Sequence, residues 1–229
     1  MNKLLYKEFR LCMHPMVPLF FLFVFMLLIP NYLYLIPCFF ICNAIFYAFQ
    51  QGAASNDTLF TVLLPVSKSK AVLSKYLYVI ILQMIMLLLY LPLIFLNHAI
   101  FAEGNKAGID ACFTLIGAGF VLFAVFDLVF LPSFFKTGYK AGKSFLIGAI
   151  AVFAWIFICE GVFIASNSEA LQSAVPFFGW VARYLDGWPR DGKTLGVQLG
   201  FTAVGALIFA VSNLISYKLS VKNFEMVDL

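Results

Sequence analysis

The chain reads as an all-α integral membrane protein, with six transmembrane helices, an amphipathic N-terminal helix and a short apolar helix on the cytoplasmic side. Three observations predict this. Of its 229 residues, 63% are hydrophobic and only 11% charged, whereas a soluble domain is about 45–50% apolar and about 25% charged. Apolar runs long enough for a bilayer, which takes about 20 residues per helix, recur along the chain. Lys and Arg concentrate in alternate loops. Too little sequence lies outside the apolar runs for a separate soluble unit, so residues 1–229 are read as a single transmembrane domain.

In residues 1–16, Lys3, Lys7, Glu8 and Arg10 alternate with Leu4, Leu5, Phe9 and Leu11 at helical spacing. That pattern predicts an amphipathic helix in the headgroup layer, ended by Pro15. A basic start before an apolar run also suits a signal peptide, but no small-x-small cleavage site follows, so it is kept in the mature chain. Residues 17–49 are apolar except for Asn31 and Asn43, too long for one crossing. Pro30, Asn31 and Tyr32 suit a hairpin tip, with Tyr32 and Tyr34 in the interfacial aromatic belt. The spans read as 14–30, 33–51, 77–96, 112–131, 145–165 and 195–217.

An even number of spans places both termini on one side. That side carries Lys3, Lys7 and Arg10, then Lys68, Lys70 and Lys75, then Lys136, Lys140 and Lys143, and finally Lys218 and Lys222. The other side has Lys106, Arg183, Arg190 and Lys193. The first group is therefore predicted to be cytoplasmic.

Catalytic motifs are sparse. Five cysteines without a C-x-x-C pair argue against a disulfide framework or zinc knuckle. His14 and His98 are far apart and have no acidic partner at ligand spacing, so no metal is expected. Gly187 to Thr194 satisfies the phosphate-loop pattern, but that motif needs a strand before it and a helix after it, so it is read as a turn entering span six. Asp127 in span four is an intramembrane acid that needs a partner, and Lys136 or Lys140 is the expected one. Glu160 is read as interfacial. Gly196 and Gly200 form a G-x-x-x-G pair, which together with Gly205, Gly117 and Gly119 is assigned to helix packing. Residues 170–186 read as an external interfacial helix covering the bundle.

The informative segment is the loop between spans two and three. Asn56 or Asp57 can cap a helix of about two turns ended by Pro65, whose Leu59, Phe60, Leu63 and Leu64 gather on one side. Such a helix either packs beneath the bundle or docks in a partner's groove.

The run Asn56-Asp57-x-x-Phe60-x-x-x-Leu64-Pro65-Val66-Ser67-Lys68, followed by Val72-Leu73-x-Lys75-Tyr76, resembles the cytoplasmic signature of small ABC-2 type transporter permeases, including bacterial peptide-exporter permeases. Leu131-Pro132-x-x-Phe135-Lys136-x-Gly138-Tyr139-x-x-Gly142-Lys143 resembles a second signature, in the loop after span four. The resemblance implies a permease in the bacterial plasma membrane that pairs with a second copy or close paralogue and with two copies of an ATP-binding subunit. ATP and Mg would sit on that partner, with no cofactor and no nucleic acid on this chain. The coupling helix maps onto Asp57, Thr58, Leu59, Phe60, Leu63, Leu64 and Pro65, and the second cytoplasmic loop onto Lys136, Gly138, Tyr139 and Lys143.

Composition adds that 28 Phe and almost no buried charge favour a hydrophobic or amphipathic cargo, peptide among them, over a hydrated polar pore. The rival class is an ATP-independent channel or secondary carrier, which usually shows internal repeats with paired polar residues at the midplane. A membrane enzyme would need clustered catalytic groups at one depth.

Overall fold

The computed structural model describes residues 2–101, 104–137, 140–189 and 191–227, without the side chains of residues 2, 11, 12, 58, 59 and 62. Every regular element among them is helical. α1 (Asn2–Lys7) runs into a π-helical turn (Glu8–Cys12), and α2 (Val17–Phe21) continues as a 3-10 segment (Leu22–Leu28). Then come α3 (Ile36–Ala54), α4 (Asp57–Leu63), α5 (Lys68–Ile100), α6 (Phe113–Phe135), α7 (Ala141–Ser166), α8 (Glu169–Ala174), α9 (Pro176–Tyr184) and α10 (Gly192–Glu225).

α5, α6, α7 and α10 are long and apolar enough to cross a membrane. At 1.5 Å per residue they run about 35–50 Å, against about 30 Å of hydrocarbon. The chain is thus a multi-pass membrane protein, but six full crossings are not what the helices display. The α2 segment is a shorter apolar stretch, Val17–Leu28, confined between Pro15 and Pro30. α3 has 19 residues but carries Gln50 and Gln51 near its C-terminal end, which shortens its apolar part.

Asn31 turns the chain between these two elements with φ 54°, a left-handed conformation that Asn tolerates better than most residues. Tyr34 does not join an interfacial belt. It is buried, its hydroxyl donates to the Ile29 carbonyl (3.2 Å) and accepts from Asn97 Nδ2 (3.1 Å), and its own carbonyl accepts from Tyr90 (2.9 Å). The hairpin tip is therefore fastened to α5.

α6 is the hub, with 72% of its apolar window buried against 22% for α10. Phe126, Phe130 and Phe134 form a row of ring contacts down its inner side, and Phe130 and Phe134 meet Phe49 of α3 edge to face. The outer faces of α7 and α10 keep large apolar side chains such as Ile150, Phe157, Leu207 and Leu214 exposed, as lipid-facing surfaces do.

Without a hydrophobic drive between helices in lipid, close backbone approach and interhelical hydrogen bonds hold α6 to α10. Thr202 donates to the Phe113 carbonyl (2.8 Å), Ser216 to that of Asp127 (2.7 Å) and Asn223 Nδ2 to that of Pro132 (2.9 Å), so the two helices run parallel. Midway, a β-carbon on Gly205 would fall 2.5 Å from the Gly117 carbonyl oxygen. Gly196 and Gly200, the predicted packing pair, face open space instead. The G-x-x-x-G spacing lies on the wrong side of α10 for this contact.

Gly205→Leu should therefore destabilise the bundle by about 1–3 kcal/mol through overpacking against backbone that cannot yield. Gly200→Ala should leave the unfolding midpoint unchanged or slightly raised. Thermal unfolding in detergent, followed by tryptophan fluorescence, checks both.

Candidate functional site

Where α3 ends, Asn56 adopts φ 53° and turns the chain sharply into α4. The expected capping bond is not made: the Asn56 side chain makes none, and the Asp57 carboxylate is drawn to lysines. An acid in the first turn still suits the positive end of the helix. The helix stops at Leu63 because Leu64 is extended, the conformation imposed on a residue before proline.

α4 has two unlike sides. Asp57 and Thr61, one turn apart, are buried, and the Thr61 hydroxyl donates to the Asp57 carbonyl (2.7 Å). Phe60, Leu63 and Leu64 are 63%, 75% and 49% exposed. Pro65 is exposed beside them, while the side chains of Thr58 and Leu59 lie outside the described residues.

The buried side rests on a four-charge cluster. Lys7 Nζ meets Asp57 Oδ1 at 2.7 Å and Glu8 Oε1 at 3.2 Å; Lys75 Nζ meets Asp57 Oδ2 at 2.9 Å and Glu8 Oε2 at 3.1 Å. Each lysine bridges both acids, so two positive and two negative charges close a neutral ring that joins the N-terminal segment, α4 and α5. Lys7 also donates to the Thr61 hydroxyl (2.7 Å), and Lys75 sits 5.6 Å over the Phe49 ring. Burial would push the Asp57 carboxyl up. The charge of Lys75 and hydrogen bonds from Lys7 and Lys75 outweigh it, holding the group at about 2. The N-terminal segment is thus a clamp on α4 as well as an amphipathic helix: Glu8, expected on its polar side, is buried.

From the clamp, α5 is tied to α10. Lys68 Nζ donates to the Val227 carbonyl (2.9 Å) and more weakly to that of Glu225 (3.4 Å), Ser69 pairs with the Tyr217 hydroxyl (2.8 Å), and the Tyr76 hydroxyl pairs with Ser216 and Ser220 (2.7 Å each). Residues 2–12, α4 and the end of α10 therefore share one end of the bundle.

The second predicted loop stays with α6 and α7, whose ends are pinned by a Ser133–Ser144 hydroxyl pair (2.9 Å). Lys136, Lys140 and Lys143 are exposed there, and Gly138 and Tyr139 lie outside the described residues. Asp127 is fully buried and is not joined to Lys136 or Lys140: Gln83 Nε2 of α5 donates to its Oδ1 (2.8 Å). An amide on a neighbouring helix outcompetes lysines at the loop because Asp127 sits eight residues inside α6 from Phe135. Glu160 is likewise buried rather than interfacial, and its Oε2 accepts the Ile109 backbone N–H (2.8 Å).

At the far end, the phosphate-loop look-alike forms a helix start. Asp191 caps α10 by accepting the Thr194 N–H (2.7 Å), and the element before it is helix α9. The single helix expected over 170–186 is two, α8 and α9; Val181 and Leu185 are buried while Leu171, Phe177 and Trp180 are exposed. Among the described residues no group of three or more His, Cys, Asp or Glu is placed to hold a metal ion.

Sequence reasoning placed Asp57 on α4 but missed Lys7, Glu8 and Lys75 as its partners. Nothing in their spacing links them. The only signal was an acid in an otherwise apolar stub helix, which had to be paired or exposed.

The chain matches the family described as ABC-2 family transporter protein over residues 3–225, nearly its whole length. No curated protein and no solved structure matches it. A helical membrane bundle matched from end to end in this way belongs to the ABC-2 family of transporter proteins.

Proposed function

We propose that the chain is the transmembrane permease subunit of an ABC exporter in a bacterial cell membrane, moved by ATP that a separate ATP-binding subunit hydrolyses with Mg. The observation that carries the reading is α4, which turns Phe60, Leu63 and Leu64 outward while its other side is fixed by four buried charges. An exposed apolar helical face suits insertion into a partner's groove. Rigid footing on α5 suits it to pass displacement onward, first along α5 and then through Tyr76 and its serine partners to α10. Family membership supports an ATP-binding subunit as the occupant of that face.

On this reading α4, the second loop around Lys136 and Lys143, and both termini face the cytoplasm, as the Lys and Arg distribution favours. The permease works as a homodimer or with a close paralogue. The cargo is hydrophobic or amphipathic, with peptides first among the candidates, because the bundle interior is aromatic and carries few charges. A channel or secondary carrier would leave the outward face of α4 without a role.

Phe60→Asp and Leu63→Asp should leave the chain in the membrane but lower retention of the ATP-binding subunit in pull-downs, and ATP-dependent transport, at least tenfold. Undiminished retention by both would overturn the docking assignment.

The clamp makes a separate prediction. Lys75→Met strands two buried carboxylates with a single lysine, a loss of about 3–5 kcal/mol when a buried pair is broken. It should cut cargo moved per ATP hydrolysed while the ATPase still binds, with Lys75→Arg retaining most of the coupling. The contribution of Asp57 is present above the ordinary carboxylate value of 3.8 and is lost only as pH falls toward about 2. Bundle stability, followed by thermal unfolding, should therefore show no titration from Asp57 at neutral or mildly acidic pH.

A further inference from the structure

At the end of the bundle opposite α4, two segments are sewn together by carboxylates. Asp186, in the turn between α9 and α10, accepts the backbone N–H of Asp110 on its Oδ1 (3.1 Å). Asp110 folds back to accept the N–H of Ala111 (2.8 Å), and Glu160 of α7 holds the neighbouring N–H of Ile109 (2.8 Å). Cys112 Sγ reaches the Leu185 carbonyl (3.5 Å). Gly104 and Gly187, both with positive φ, flank the seam: a β-carbon on either would meet Asp110 Oδ2, at 3.1 and 3.9 Å.

The chemistry of this seam is unusual because its fasteners repel one another. Asp110 and Glu160 are buried acids that act electrostatically on or with Asp186. Among the described residues, the titratable groups facing Asp186 are Asp110, at the end of the α5–α6 segment, Cys112, at the start of α6, and Glu160, on α7. Of the described basic residues near it in sequence, Arg183 on α9 and Lys193 on α10 act instead on Tyr184, with Lys193 Nζ 5.1 Å over its ring. His98 of α5 stacks on Trp188 (4.5 Å), two residues from Asp186. Closing the seam thus brings three acids together, with Asp110 and Glu160 buried and Asp186 half-buried.

We propose that the seam between residues 104–112 and 185–188 is an acid-tightened latch across this end of the bundle, with Asp186 as the residue whose protonation closes it. Burial is the main cause that raises the Asp186 carboxyl, with the Asp110 charge adding to it, and together they outweigh the hydrogen bonds it receives, to about 6 from 3.8. The closed seam therefore binds the proton better than the open one. Its extra stability is fully present below 3.8, declines as pH rises, and is lost above about 6. On the orientation proposed above, the latch faces the outside and senses the pH there. It belongs to this chain alone and does not depend on an ATPase docking at α4.

Hydrogen exchange by mass spectrometry on the purified full chain in nanodiscs, from pH 4.5 to 7.5 and corrected for intrinsic exchange, tests the proposal. Peptides covering residues 105–112 and 185–189 should lose between about tenfold and a hundredfold of protection as pH rises to about 6 and then level off. Asp186→Asn keeps the acceptor oxygen and removes the charge, so it should stay protected at every pH. Asp110→Asn should shrink the transition and move it to lower pH. Retention of the wild-type profile by Asp186→Asn would assign the titration to another group and overturn the proposal. So would a flat wild-type profile, or an unchanged profile in Asp110→Asn should Asp186→Asn fail to fold.

Discussion

Two lysines and two carboxylates from three separate segments neutralise one another at one end of the bundle, and the position of α4 depends on them. A seven-residue helix cannot hold its shape or place by its own hydrogen bonds, since isolated helices shorter than about 12–15 residues are marginal in water. Among the described side chains, its large apolar ones, Phe60, Leu63 and Leu64, are exposed. What remains is the electrostatic footing of Asp57 on Lys7 and Lys75, with Glu8 balancing the charge. Buried ion pairs add little net stability over apolar packing but penalise every geometry that breaks them, and that is the property a force-bearing joint needs.

The rest of the bundle obeys a different constraint. Inside a membrane, apolar area gives no preference for another helix over lipid, so shape and hydrogen bonds decide who neighbours whom. α6 and α10 meet where Gly117 and Gly205 allow their backbones to touch, and three side-chain-to-carbonyl bonds fix their parallel register. The same logic explains why buried polar residues gather on α5, α6 and α10: Tyr76 pairs with Ser216, Gln83 with Asp127, and Ser216 with the Asp127 carbonyl, all across helices. The two ends of the bundle are then chemically distinct, one closed by paired opposite charges and the other by carboxylates that accept backbone N–H groups.

Much of this was legible in the order of residues. Apolar runs announced the long helices, Pro65 announced the end of α4, and Asn31 announced the hairpin turn, because each acts through its own backbone or its immediate neighbours. Partners were not legible. Asp127 was expected to reach for lysines nine and thirteen residues further along the chain and instead meets Gln83, forty-four residues earlier. The glycine pair at 196 and 200 has the spacing of a packing motif, yet Gly205 makes the contact, because spacing along one helix does not reveal which side a second helix approaches.

The sequence by itself determined that this chain lives in a bilayer, where its helices run, and that a short apolar helix with a lone acid follows the second apolar run. Composition and periodicity are local properties, and local properties survive without a fold. Only the tertiary structure decided that the lone acid is locked between Lys7 and Lys75, that Tyr34 and Glu160 are buried rather than interfacial, and that Asp110 and Asp186 meet across the far end. Those facts depend on the rotation and depth of helices far apart in sequence, which packing sets and no single segment encodes.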